Sequence, residues 1–67
     1  MNKYLKNLIG KKIAILGLGI ENFALVQYLL DEKVDCVVTI CDAQSEEDLG
    51  PKYEALKNKK NIAWRLG

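Results

Sequence analysis

Gly17-Leu18-Gly19-Ile20-Glu21-Asn22 lies between a short apolar run and a helical pattern. A glycine-rich loop in that position can cradle a phosphate. Gly17 suits a tight turn, and Gly19 lets a ligand come close to the backbone. The unpaired amides that open the following helix favour an anion. Asn22 stands where G-x-G-x-x-G has its third glycine, the one that allows close helix-on-strand packing. Glu21 puts a carboxylate in the first helical turn, where it answers the helix dipole and opposes a closely held pyrophosphate. The second candidate is Asp42, 23 residues after Gly19. An acid about 20 residues beyond such a loop can bond ribose hydroxyls, and an Asp at a strand end can equally cap a turn with its own backbone.

The elements that must position these residues are legible in the apolar pattern. Residues 3–9 carry Leu5, Leu8 and Ile9 at helical spacing, which predicts a short lead-in helix ended by Gly10. Residues 12–17 read as a strand. It is apolar on both faces, as in a parallel sheet covered on both sides. Residues 21–32 read as an amphipathic helix through Phe23, Val26 or Gln27, and Leu30. Residues 36–42 form a second, β-branched strand, also apolar on both faces.

Ser45-Glu46-Glu47-Asp48 resembles a capping box, and Pro51 suits a first helical position. Either one helix starts near Ser45 and is disturbed at Pro51, or a turn precedes a helix from Pro51. Proline inside a helix costs about 3 kcal/mol, which favours the second arrangement. Lys57-Asn58-Lys59-Lys60-Asn61 reads as a solvated, cationic helix end. Residues 62–66 form a third strand, with Ile62, Trp64 and Leu66 on one face and Ala63 and Arg65 on the other. The fold class is therefore α/β: a Rossmann-like βαβαβ half with a three-stranded parallel sheet, expected in spatial order 2-1-3. Ligands of such sheets sit at the carboxyl ends of the strands, where the glycine loop and Asp42 converge. One such half is a mononucleotide-sized unit, which favours a mononucleotide over NAD.

Bulk properties narrow the function classes. The chain has 67 residues, 49% of them hydrophobic and 28% charged, with a net charge of +1. A domain of this size buries only about 60% of the surface of its unfolded chain, so its stability margin is small. The charge balance lacks the basic excess of a nucleic-acid surface. No apolar stretch is long enough to span a membrane, and the lysine-containing N-terminus does not read as a signal peptide. A cytoplasmic location is expected. With no histidine and two cysteines, a metal site is not expected. Cys36 and Cys41 lie in one predicted strand with opposite orientation, which argues against a disulfide and for small apolar residues in a reducing compartment.

Four stretches, GKKIAILGLGIENFA, the helix ending YLL, TICDAQSEEDLG and the terminal AWRLG, together resemble the start of the Mur ligase family, most of all its D-glutamate-adding branch. The resemblance implies that residues 1–67 are an N-terminal domain holding the UDP part of a UDP-N-acetylmuramoyl-alanine substrate. By position, Ile20 and Glu21 would lie beside the uridine, Asp42, Ala43 and Gln44 would frame the uracil and ribose, and Gly67 would stand near the same pocket. Gly17, Gly19 and Asn22 complete the expected binding set. The resemblance also implies that the parent forms an amide with D-glutamate using ATP and magnesium ions held by its remaining domains. No G-x-x-x-x-G-K-[ST] occurs in this chain. The 67 residues are therefore not expected to catalyse the reaction alone, nor to carry a cofactor. Two other classes remain: an NAD- or FAD-binding half domain of an oxidoreductase or transport regulator, which Asp42 also fits, and a scaffold without ligand that dimerises through an exposed sheet edge.

Overall fold

The computed structural model describes residues 3–67, and of Lys3 and Tyr4 the backbone alone. The elements run α1 (Lys3–Lys6), β1 (Lys12–Leu16), α2 (Ile20–Asp31), β2 (Val37–Asp42), α3 (Glu46–Leu49), α4 (Pro51–Leu56) and β3 (Ile62–Leu66). The three strands form one parallel sheet. The expected α/β class and the β-α-β-α-β progression are therefore present, with α3 and α4 together making the second crossover.

Ser45 caps α3 by accepting a hydrogen bond from the Asp48 amide at 3.2 Å. Pro51 opens α4 as its first residue. The turn expected before Pro51 is thus itself one helical turn, separated from α4 by Gly50. The cationic run after Leu56 lies beyond α4 and is exposed; within it Lys57 pairs with Glu54 at 2.6 Å. Among the described residues both cysteines are free thiols. Cys36 precedes β2 instead of opening it and is buried on the core side. Cys41 lies on the other side, so the expected opposition of the two holds.

The expected order 2-1-3 is not the one observed. The order is β1-β2-β3, with β2 central and β1 and β3 as edges. Read from the other edge this is 3-2-1, the leading half of a doubly wound sheet. Crossovers between parallel strands are right-handed. Two successive crossovers in the same direction place both connections on the same face. An order of 2-1-3 would reverse the second crossover and put its helices on the opposite face.

Burial follows from that arrangement. On the covered face the register aligns Ile13 with Val38 and Ile62, and Ile15 with Ile40 and Trp64. Val26 and Leu29 of α2, Leu49 of α3 and Leu56 of α4 join Ile15, Val38 and Ile40 in the buried core. Tyr53 meets Trp64 edge-on, with ring centroids 4.8 Å apart, which docks α4 on β3. Leu5 of α1 and Leu18 of the glycine loop complete the core.

The other face aligns Ala14 with Thr39 and Ala63, and Leu16 with Cys41 and Arg65. Leu16 is 79% exposed and Val37 40%. The expectation that β1 and β2 are covered on both faces is thus corrected. Their apolar character is two-sided, whereas the helices between these three strands cover one side. The alternation read in β3 matches its half-buried and exposed residues.

Two substitutions report this asymmetry. Ile40→Val, in the fully buried centre, is expected to cost about 0.5–1.5 kcal/mol. Leu16→Thr on the open face should stay within about 0.5 kcal/mol. Urea unfolding followed by Trp64 fluorescence measures both, and equal losses would mean that the second face is covered.

Candidate functional site

The site forms where β1 and β2 end. Gly17 terminates β1 with its amide donating to the Cys41 carbonyl at 2.7 Å, the last rung of that ladder. Its φ of +87° is a left-handed conformation that side chains resist, so a glycine is needed there. Gly19 differs. Its φ is −75°, and a Cβ built on it would meet nothing within 4 Å. The second glycine is therefore not required by the backbone and instead leaves space beside the first turn of α2.

Between the two glycines, Leu18 turns inward and is 1% exposed, which anchors the loop in the core. Three side chains then secure the loop backbone. Asn22 Nδ2 donates to the Gly17 carbonyl at 2.7 Å and more weakly to that of Leu16 at 3.4 Å. Asp42 Oδ2 accepts from the Leu18 amide at 2.7 Å. Lys52 Nζ, arriving from α4, donates to the Leu18 carbonyl at 3.0 Å. Asn22 thus replaces the third glycine with a donor that closes the turn.

Asp42 fulfils the turn-capping alternative and more. Its Oδ1 accepts from the Gln44 amide at 2.9 Å while Oδ2 holds the loop. These bonds, the Leu18 amide first and the Gln44 amide second, hold its carboxyl below the ordinary value; partial burial opposes them and the Lys52 charge assists. Each carboxylate oxygen has a second acceptor position, so these bonds leave Asp42 room for a ligand hydroxyl.

Two adjoining open clefts share Leu16 and Gly17 as a common wall. One, about 350 Å³, is lined also by Cys41, Asp42, Ala43, Arg65 and Gly67. The other, about 400 Å³, is lined also by Gly19, Ile20, Glu21 and Asn22. The Gly67 amide donates to the Asp42 carbonyl at 3.0 Å, which brings the chain's last residue to the same edge. All the residues expected at the site therefore gather at the carboxyl end of the sheet. Gln44 alone lines neither cleft and enters through its bond to Asp42. The structure adds Leu16, Cys41 and Arg65 to the walls and Lys52 behind the loop. Leu16 and Cys41 stand immediately before Gly17 and Asp42, and Arg65 two residues before Gly67, all at strand ends, a position that could have pointed to them. A hollow at the opposite end of the sheet, about 50 Å³, is too small for a nucleotide. There, burial and the neighbouring Asp35 push the Cys36 thiol upward, away from nucleophilic use.

Known proteins resemble this chain in sequence. It is similar to UDP-N-acetylmuramoylalanine–D-glutamate ligases. The enzyme of Clostridium beijerinckii is 32% identical over 66 residues, 98% of this chain. Those of Clostridium tetani and Clostridium acetobutylicum are 36% and 30% identical over the same length. The chain spans 14% of the length of each of these relatives. No family profile matches the chain, and no solved structure does. Among the described residues no helix is long and apolar enough to cross a membrane.

The Asp42 bonds give a pH dependence. A carboxyl whose folded-state value is depressed contributes stability that is present above its unfolded value, about 3.9, and is lost as pH falls through the folded value. Asp42→Asn removes that titration. Its unfolding midpoint should lie below the parent's at neutral pH, and the gap should narrow as the pH drops below about 4. Urea midpoints of both proteins across an acid series check this, and parallel curves would mean that other carboxyls carry the acid response.

Proposed function

We propose that this chain is the N-terminal nucleotide-binding segment of a peptidoglycan-precursor ligase and that it holds the UDP part of UDP-N-acetylmuramoyl-alanine. The observation that carries this reading is the convergence at one sheet edge. The Gly19 space and the opening amides of α2 adjoin the cleft of Asp42, Ala43 and Gly67. The first cleft suits an anion and the second a nucleoside. The relatives' names supply the substrate class. The open sheet face and the free edges of β1 and β3 are where the rest of a longer polypeptide would pack. Amide formation with D-glutamate, using ATP and magnesium, belongs to that remaining polypeptide in this reading.

A dinucleotide site fits less well. A single β-α-β-α-β unit is mononucleotide-sized, and the relatives' names carry a uridine nucleotide.

Backbone amide shifts during titration with UDP and, separately, NAD test the proposal. UDP should move Gly19 to Asn22 and Asp42 to Gln44, while NAD leaves them in place; the reverse preference would overturn it. Gly19→Ala sharpens the result. A methyl there meets no protein atom, so the variant should fold within about 1 kcal/mol of the parent, the scale of an N-cap change. It should nevertheless lose UDP affinity by roughly tenfold or more, because the ligand's approach is filled.

A further inference from the structure

Lys52 has no place in the substrate-binding set, yet it makes a contact that spans half the chain. It is half-buried in α4, and its ammonium reaches back 34 residues to the Leu18 carbonyl. A trans peptide points its C=O and N–H in opposite directions, and the described chain has no cis bond. The Gly17–Leu18 peptide is therefore gripped at both ends, Asn22 on its carbonyl and Asp42 on its amide. The next peptide, Leu18–Gly19, is gripped at its carbonyl alone, by Lys52. Its other end is the Gly19 N–H, which among the described residues has no protein partner. That amide faces away from α4, and Gly19 lines the open cleft.

We infer that Lys52 is a positioning residue for anion binding: by holding the Leu18 carbonyl on the α4 side, it turns the Gly19 amide outward as a preset donor for a ligand phosphate. The inference rests on the nucleotide reading above for its ligand. Its geometric basis is the pair of peptides between Gly17 and Gly19. A peptide gripped at neither end would rotate about the Leu18 ψ and Gly19 φ torsions, and the donor would have to be oriented anew at each binding event. A lysine that merely docked α4 would affect stability and leave the bound state's donors unchanged.

The test uses Lys52→Met, Lys52→Gln and Lys52→Arg in the full chain, with UDP and inorganic pyrophosphate as separate probes. Amide shifts report binding, and urea midpoints report stability. Removing the ammonium should move the Gly19 amide resonance in the ligand-free protein and weaken binding by roughly tenfold, the lower end of what loss of an outer-shell partner costs. Lys52→Arg, which keeps a long cationic donor, should recover most of the affinity. Lys52→Gln, whose side chain is too short to reach, serves if the methionine variant does not fold. Parent-like affinity in a folded Met or Gln variant would overturn the inference. So would weakened binding with an unmoved Gly19 resonance, since the ammonium would then act through charge at a distance. A parent protein that takes pyrophosphate and not UDP would overturn the uridine reading and leave the Lys52 comparison to be made on pyrophosphate. A parent that takes neither overturns both.

Discussion

Everything in this small domain follows from the hand of its two crossovers. A twisted parallel strand followed by a right-handed connection returns to the sheet on one side only. With β1, β2 and β3 laid down in succession, both connections fall on the same face. The helices therefore build one core, in which Val26, Ile40 and Leu56 are fully enclosed. The same constraint leaves Ala14, Leu16 and Ala63 facing outward. The parallel direction of the three strands puts every carboxyl end at one edge, which is why the glycine loop, Asp42 and Gly67 meet.

That edge is held by bonds that cross between elements. Asn22 closes the loop from the helix it precedes, Asp42 reaches it from the neighbouring strand, and Lys52 reaches it from the second crossover. The register Leu16 to Cys41 sets the height of Asp42 beside the loop. A one-residue slip of β2 would turn Ile40 outward and withdraw the carboxylate from Leu18 at the same time. Core packing and site geometry are thus enforced by a single register.

Much of this was legible from local pattern. The pattern predicts β3 with its observed bounds, β1 and β2 to within a residue, and α2 one residue late. The start of α4 at Pro51 was readable because the ring's missing amide and fixed φ suit only a first turn. The need for a glycine at position 17 was readable because a strand must turn sharply into a helix there. What failed was non-local. Two-sided apolar strands predict cover on both faces, and the β-α-β-α-β pattern predicts the order 2-1-3; the fold shows one covered face and the order β1-β2-β3. Residue type records what a strand tolerates, whereas the cover depends on which elements share its sheet. Lys52 was invisible for the same reason: a lysine in an amphipathic helix carries no mark of a carbonyl 34 residues earlier. In the sequence Asn22 stands only where a third glycine is missing. Its value as a donor depended on the loop's curvature, which only the folded chain supplies.

A domain this small has little stability to spend on ordering a loop when a ligand arrives. Hydrogen bonds of the kind made by Asn22, Asp42 and Lys52 contribute roughly 0.5–1.5 kcal/mol each, more where a charge is involved. Together they are comparable to the backbone entropy of fixing two or three residues, at about 1–2 kcal/mol apiece. The loop between Gly17 and Gly19 contains about that many free torsion pairs. The side chains behind the loop therefore offset its ordering cost during folding, when the core at Leu18 is being assembled anyway. An anion meeting this edge would find its donors already in place, and the affinity of so small a surface would depend on that preorganisation more than on contact area.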